Sequence, residues 1–523
     1  MLKLVNFFER AASISLITTV ALACFESTAA LFDLFGQRWT PIEVAMIVAC
    51  ATALPLCWRH RRAHWRDLRD VGLFCICVLI STVINDLGWS ASLRLILYGG
   101  LCIASAVVHR VLPSLRNSLL SAAACAATCS ALIGLCELSW PQWQSLESVL
   151  SMFRDKATMV DGARRLTGTF AHANLAGLSF AMVLPVVVTR ERKFWVMITL
   201  VVSTALMATG SRGAWFAAAI GLTICHRSRW SPTIDRLNWA AIAAAVVIAL
   251  SLWPMTRQRL GWHISKPQYA AELHGSKVGD GLVVRLTNSG WLKWRHAGTD
   301  PVVVELIALD AKGNNSSTNQ VTLLRSVPSD ETLQMVVSAT DLPAGARYVS
   351  MQMMQRGLRN FGPRVVVSTS ESGTAPAAAP KAAPTQSTPK AASRARLWPL
   401  ALQLWWENPL WGLGADQFRK HWSQRAPDLH PDDRMHANQL ILEMAVDLGL
   451  MGVLALMWLI YGGFKGGRDG VVLSILCVWL AFGLLDCPVY FHQGSVALWI
   501  WLGLLRGRCP RKQTRTQVNV TGT

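Results

Sequence analysis

Apolar residues along this chain come in runs long enough to cross a membrane, separated by short polar connectors. Twelve such runs fall near residues 11–35, 41–58, 71–88, 91–109, 117–138, 172–189, 194–209, 213–227, 238–256, 437–463, 470–486 and 488–506. A helix spanning the hydrocarbon core needs about 20 mostly apolar residues. The pattern therefore predicts an all-α polytopic membrane bundle of about 12 transmembrane helices, occupying residues 1–256 (helices 1–9) and 436–507 (helices 10–12). Lys3 and Arg10 precede the first run, yet no small-residue cleavage site follows it. It reads as a first membrane helix and not as a removed signal.

Between the ninth and tenth runs the period changes. Segments such as GLVVRLTNSG, PVVVELIALDAKGNN, ETLQMVVSAT and RYVSMQMMQ alternate or are rich in β-branched residues, with Gly, Asn, Asp and Pro between them. That pattern predicts a small antiparallel β-sandwich across 257–370. It resembles the Ig-like modules attached to polysaccharide-processing enzymes. Residues 371–393, ESGTAPAAAPKAAPTQSTPKAAS in the main, have nothing apolar to bury and read as a disordered Pro/Ala linker. In 394–435, Leu397, Leu400 and Leu404 with Trp398, Trp405 and Trp406 recur at helical spacing, as in a helix lying on the membrane surface. Asn408-Pro409 should stop that helix, and Gly412 and Gly414 should permit a tight turn. Residues 508–523 form a basic tail.

Charge orients this arrangement. The chain is 52% hydrophobic and only 15% charged, against roughly 25% in soluble domains. The net charge of +19 sits mainly in short connectors and the tail, which argues against nucleic acid and for membrane lipid as the partner. Connectors 58–70, 109–117, 189–193, 226–236, 465–469 and 506–515 are basic and alternate consistently, which puts them and both termini in the cytoplasm. The protein is thus expected to be multi-pass, with the loop 139–171, the turn 209–212 and the stretch 257–435 on the outer side of the membrane. Most of the thirteen cysteines lie in apolar runs, Cys509 lies in the tail, and none falls in the stretch 257–435; they read as small buried hydrophobes.

Basic and acidic groups that break the pattern are candidates for chemistry. His436, Glu443 and Asp447 are spaced seven and four apart, so a continuous helix would place them on one face. A carboxylate inside a span costs about 2.5–3.5 kcal/mol, so that face should point into the protein or a wet cavity. Arg212, Arg165, Arg394 and Arg396 fall in segments assigned to the outside, against the positive-inside bias.

Four motifs occur in a fixed order: RRLTGTFAHAN (164–174), TGSRGAW (209–215), SRARLW with NPLWGLGADQF (393–418), and HANQLILEMAVDLGLMG (436–452). Together they resemble the O-antigen ligase and O-antigen polymerase superfamily, which includes protein O-oligosaccharyltransferases. The resemblance covers about residues 150–255 and 394–505. It implies inverting, metal-independent glycosyl transfer, with no cofactor, from an undecaprenyl-pyrophosphate-linked glycan donor to an acceptor hydroxyl. The expected acceptor is lipid A-core, as in O-antigen ligation; a growing glycan chain or a protein are the alternatives. By position it assigns His436 as base and Arg212, Arg394 and Arg165 as pyrophosphate ligands, with Arg396 a rival two residues from Arg394. His172, Asn174, Asn438 and Glu443 would shape the pocket. Two departures stand out: the inserted β-rich segment, and Ala437 between His436 and Asn438, where the family often has His followed directly by an amide. A transporter for the same lipid is the competing class, but no internal repeat supports it.

Overall fold

The structure, a computed structural model, describes residues 2–507 except 26–30, 35–36, 62–64, 141–143, 154–158, 161–162, 227–231, 254–255, 257–269, 279–280, 290–293, 298–300, 310–314, 329–330, 343–347, 356–358, 369–393, 426–435 and 468. The expected linker 371–393 and the basic tail 508–523 with Cys509 lie outside the described residues. In chain order, α1 (Leu2–Leu22) leads to a hairpin, β1 (Phe32–Leu34) and β2 (Gln37–Trp39). Then follow α2 (Pro41–Arg59), α3 (Trp65–Asn85), α4 (Trp89–Val111), α5 (Leu115–Ser139) and α6 (Gln144–Leu150), and the short strands β3 (Met159–Val160) and β4 (Ala163–Arg164). Next come α7 (Ala173–Val188), α8 (Lys193–Ala208), α9 (Arg212–His226) and α10 (Pro232–Leu252). Seven strands follow: β5 (Ala271–Val278), β6 (Gly281–Asn288), β7 (Val302–Leu309), β8 (Asn315–Thr322), β9 (Thr332–Val337), β10 (Tyr348–Gln355) and β11 (Arg359–Ser368). The chain closes with α11 (Arg394–Glu407), α12 (Phe418–Arg425), α13 (Leu440–Gly466), α14 (Gly470–Gly483) and α15 (His492–Arg506).

Each apolar run contains a helix, and α2, α4, α5 and α13 are individually long and apolar enough to cross a membrane. One boundary differs clearly from expectation. The first helix runs from Leu2 to Leu22, not 11–35, and Asp33 pairs with Arg38 in the hairpin beyond it. Lys3, Glu9 and Arg10 do not delay the helix, because long straight side chains have good helix propensity.

The chain divides into two compact units. The first comprises Met1–Thr158, Leu166–Thr256 and Ala392–Thr523 and is helical. Small residues let its helices approach closely: a Cβ at Gly503 of α15 would lie 2.3 Å from the Cys102 carbonyl oxygen of α4. Polar groups segregate to its two ends. At one end Arg110 reaches Asp67 at 2.9 Å, Arg506 lies 3.2 Å from Asp67 and pairs with Asp70, and Arg116 reaches Asp469 through Nη2 at 2.8 Å. These groups flank the basic connectors, so alternate helix ends meet there as the charge pattern requires. The other end gathers the starts of α2, α4, α7, α9 and α13.

The second unit comprises Met159–Arg165 and Arg257–Ala391. Its strands form two antiparallel sheets of order β11-β10-β7-β8 and β5-β6-β9. Both contribute to one core in which Leu282, Val284 and Leu286 of β6 meet Val304, Leu306, Met351 and Met353, with Trp294 fully buried. Alternation drives this: along β9, Leu333, Met335 and Val337 are buried while the residues between them are exposed.

Candidate functional site

The site grows from a break in α13. Gly449 adopts φ 67°, ψ −173°, which interrupts the helix and frees backbone groups on either side. The Pro409–Gly414 segment docks into the gap. Leu450 N donates to Pro409 O at 2.8 Å, while Leu413 N and Gly414 N donate to Val446 O and Asp447 O at 2.8 and 2.9 Å. Side chains of α3 close the joint: Ser81 Oγ donates to Trp411 O at 2.6 Å and Asn85 Nδ2 to Gly412 O at 3.1 Å. The NPLWGLG and DLGLMG motifs thus sit together because each supplies the hydrogen bonds the other lacks.

Asp447, fully buried, anchors the rest of that connector. Its Oδ2 accepts from Asp416 N at 3.1 Å, and Oδ1 accepts from Gln417 N and Phe418 N at 3.1 and 2.8 Å, which also caps α12. Glu443, likewise buried, accepts from Ala437 N through Oε2 and pairs through Oε1 with His436 Nδ1 at 2.7 Å. His436 is not on the helix as its spacing suggested. Asn438 takes a left-handed φ of 55° and Gln439 caps α13, so the chain folds back and brings His436 to Glu443 by a turn. Burial alone would lower the histidine's pKa. The neighbouring Glu443 carboxylate outweighs it, with help from Asp416 and Asp447, and lifts the pKa to about 9.

The connector between α14 and α15 joins the remaining candidates. Tyr490 stacks on the His436 ring with centroids 5.8 Å apart and 14° between planes, and Phe491 meets it edge-on at 5.2 Å. Earlier in the same connector, Arg394 donates through Nη2 to Leu485 O. Gly213, next to Arg212, packs there too: a Cβ on it would lie 3.5 Å from Leu485 Cβ. Arg212 and Arg394 are both exposed, and Leu485 neighbours Gly213 on one side and accepts from Arg394 on the other. Arg212 also begins α9, where the positive end of the helix dipole favours an anion. Asn174 Nδ2 donates to Asp486 at 2.8 Å, and His172 caps α7 by accepting from Asn174 N at 3.2 Å.

Arg165 is buried and falls in the β-rich unit. The side chain of Arg396 lies outside the described ones. Sequence reasoning missed Asp486, Tyr490 and Phe491, which lie where two apolar runs nearly touch, so the connector was read as span. The polar group Asp486 and the helix breaker Pro488 were the available signals. His436, Glu443 and Cys487 also bring donor atoms within 4.8 Å of one another, a set whose chemistry suits zinc. His436 Nδ1 and both Glu443 oxygens are already hydrogen-bonded, so a metal there would have to displace those bonds.

Fold and site define a membrane protein with a histidine–carboxylate pair and two exposed arginines at one end of its helical unit. Residues 335–457 match the family model of the O-antigen ligase (Wzy_C), which supports the O-antigen ligase superfamily and a glycan-processing function of the ligase/polymerase type. The matched stretch includes Arg394, His436, Glu443 and Asp447. No curated protein matches the chain.

Proposed function

We propose that the protein is an inverting, metal-independent glycosyltransferase at the periplasmic face of a bacterial inner membrane. It spans the bilayer about twelve times and carries a periplasmic β-sandwich. Its donor is an undecaprenyl-pyrophosphate-linked glycan and its acceptor a hydroxyl of lipid A-core. The acceptor oxygen attacks the anomeric carbon while the bond to the pyrophosphate breaks, the electron pair leaving with the diphosphate. His436 Nε2 takes the hydroxyl proton, and Glu443 holds Nδ1–H and steadies the imidazolium that forms. Arg212 and Arg394 grip the diphosphate and offset the charge that grows on it. His172, Asn174 and Asn438 shape the surrounding backbone.

The observation that carries this reading is the single connector, Leu485 to Phe491, on which the arginine segments and His436 converge. At pH 7 the neutral imidazole lies about two units below the raised pKa, which costs about 3 kcal/mol, small beside a typical enzymatic acceleration. In a deletion strain, the lipopolysaccharide ladder should lose its O-chain while lipid-linked polymer accumulates; a single capped repeat points instead to chain polymerisation. Restoring His436→Ala to such a strain should leave the defect in place with the protein inserted. Normal ladders from that variant exclude His436 as the base. Deleting 268–370 should leave part of the transfer activity, whereas a binding scaffold would lose all function.

A further inference from the structure

A small polar cavity, open to solvent, lies beside the site, lined by Ala91, Arg94, Leu95, Tyr98, Asp416 and Tyr490. Arg94 stands about one turn inside α4, in the otherwise apolar run SASLRLILYGG, where a charge is costly without a use. It is held by a built-in frame. Its Nε donates to Glu43 Oε1 at 2.8 Å; Glu43 Oε2 accepts from Thr40 N at 2.8 Å. His492 Nε2 lies 3.3 Å from the same Glu43 oxygen, and its Nδ1 lies 2.7 Å from the Tyr98 hydroxyl. Glu43 is buried, while a third of the Arg94 side chain remains exposed. Among the described residues only Nε of that guanidinium is hydrogen-bonded, which leaves its outer edge for a ligand.

The opposite wall ties the cavity to His436. Tyr490 stacks on the imidazole, and its hydroxyl is buried beside the Asp447 carboxylate. Asp416 supplies a carboxylate, which Arg419 also contacts at 2.7 Å. A cavity with both charge signs and two phenols suits a polyhydroxylated ring, because each hydroxyl both donates and accepts. A diphosphate would meet Asp416 unfavourably.

We propose that this cavity is the subsite for the acceptor sugar, with Arg94 as the positioning residue that presents its hydroxyl to His436. The inference rests on the transferase reading above. Its test uses the full chain in nanodiscs, with undecaprenyl-pyrophosphate glycan and lipid A-core varied independently. Arg94→Gln and Asp416→Asn should each raise the KM for lipid A-core tenfold or more and leave the KM for the donor unchanged, with Arg94→Lys recovering part of the loss. Asparagine tolerates the left-handed φ of 61° at Asp416, so that variant guards against a simple folding defect. Unchanged acceptor KM in both variants, or a rise confined to the donor, overturns the subsite while the transferase stands. A wild-type protein that transfers to no acceptor overturns the parent reading and the subsite with it.

Discussion

His436 Nδ1 and Glu443 Oε1 lie 2.7 Å apart in a buried pair, seven residues apart in sequence and joined by a turn and not by a helix face. The carboxylate fixes which ring nitrogen carries the proton, so Nε2 is the nitrogen left to act on a substrate.

That pair sets opposite pH trends for stability and activity. The histidine pKa rises from 6.5 to about 9 on folding, so its stabilising contribution is complete below pH 6.5 and fades as pH climbs through 9. Turnover that needs the neutral ring should climb over the same interval. Measured kcat/KM against pH should rise with an apparent pKa near 9, and Glu443→Gln should shift the midpoint downward and lower the plateau. A flat profile from pH 6 to 9 contradicts the base assignment.

Arg212 and Arg394 should not tolerate lysine. A planar fork can hold two phosphate oxygens at once, whereas an ammonium cannot. Alanine at either position should slow transfer on the order of 10²–10³-fold, and lysine should recover little of it. Steady-state rates in nanodiscs read this directly; full activity of both lysine variants contradicts a bidentate grip.

Gly449→Ala tests the joint between the two motifs. Its Cβ would lie 2.2 Å from Leu410 O, at a φ of 67° that alanine resists. Strain of about 1–3 kcal/mol plus the clash should displace Pro409–Gly414 and lower both Tm and activity. An unchanged Tm in detergent would show that the docking is dispensable.

The ion cluster at the opposite end should matter for stability alone. Arg506 is buried between Asp67 and Asp70, and removing it takes the buried partner from both carboxylates, leaving Asp67 to Arg110 and Asp70 to the more exposed Arg69. Arg506→Ala should cost about 3–5 kcal/mol, seen as reduced yield and Tm, while the folded fraction keeps its KM values. A selective loss of substrate affinity would place that end in the reaction path.

Much of this was readable from the residues alone. Hydropathy placed a helix in each long apolar run but not the short polar helices α6 and α12, and alternation located the β-rich unit, because burial in lipid or in a sheet imposes its period directly on the sequence. The helix stop after Glu407 followed from Asn408-Pro409. The first helix was misplaced because charge near a chain start does not by itself end or delay a helix.

The sequence by itself determined the membrane character, the alternation of basic connectors and the set of buried and exposed ionisable residues near the site. Those properties depend on local composition and short periods. Tertiary structure alone decided that His436 turns back to Glu443, that Pro409–Gly414 fills the gap at Gly449, and that Arg94 shares a cavity with Asp416 and Tyr490. Each joins positions through free backbone groups or buried charges that must find partners, and no local pattern records which partner is found.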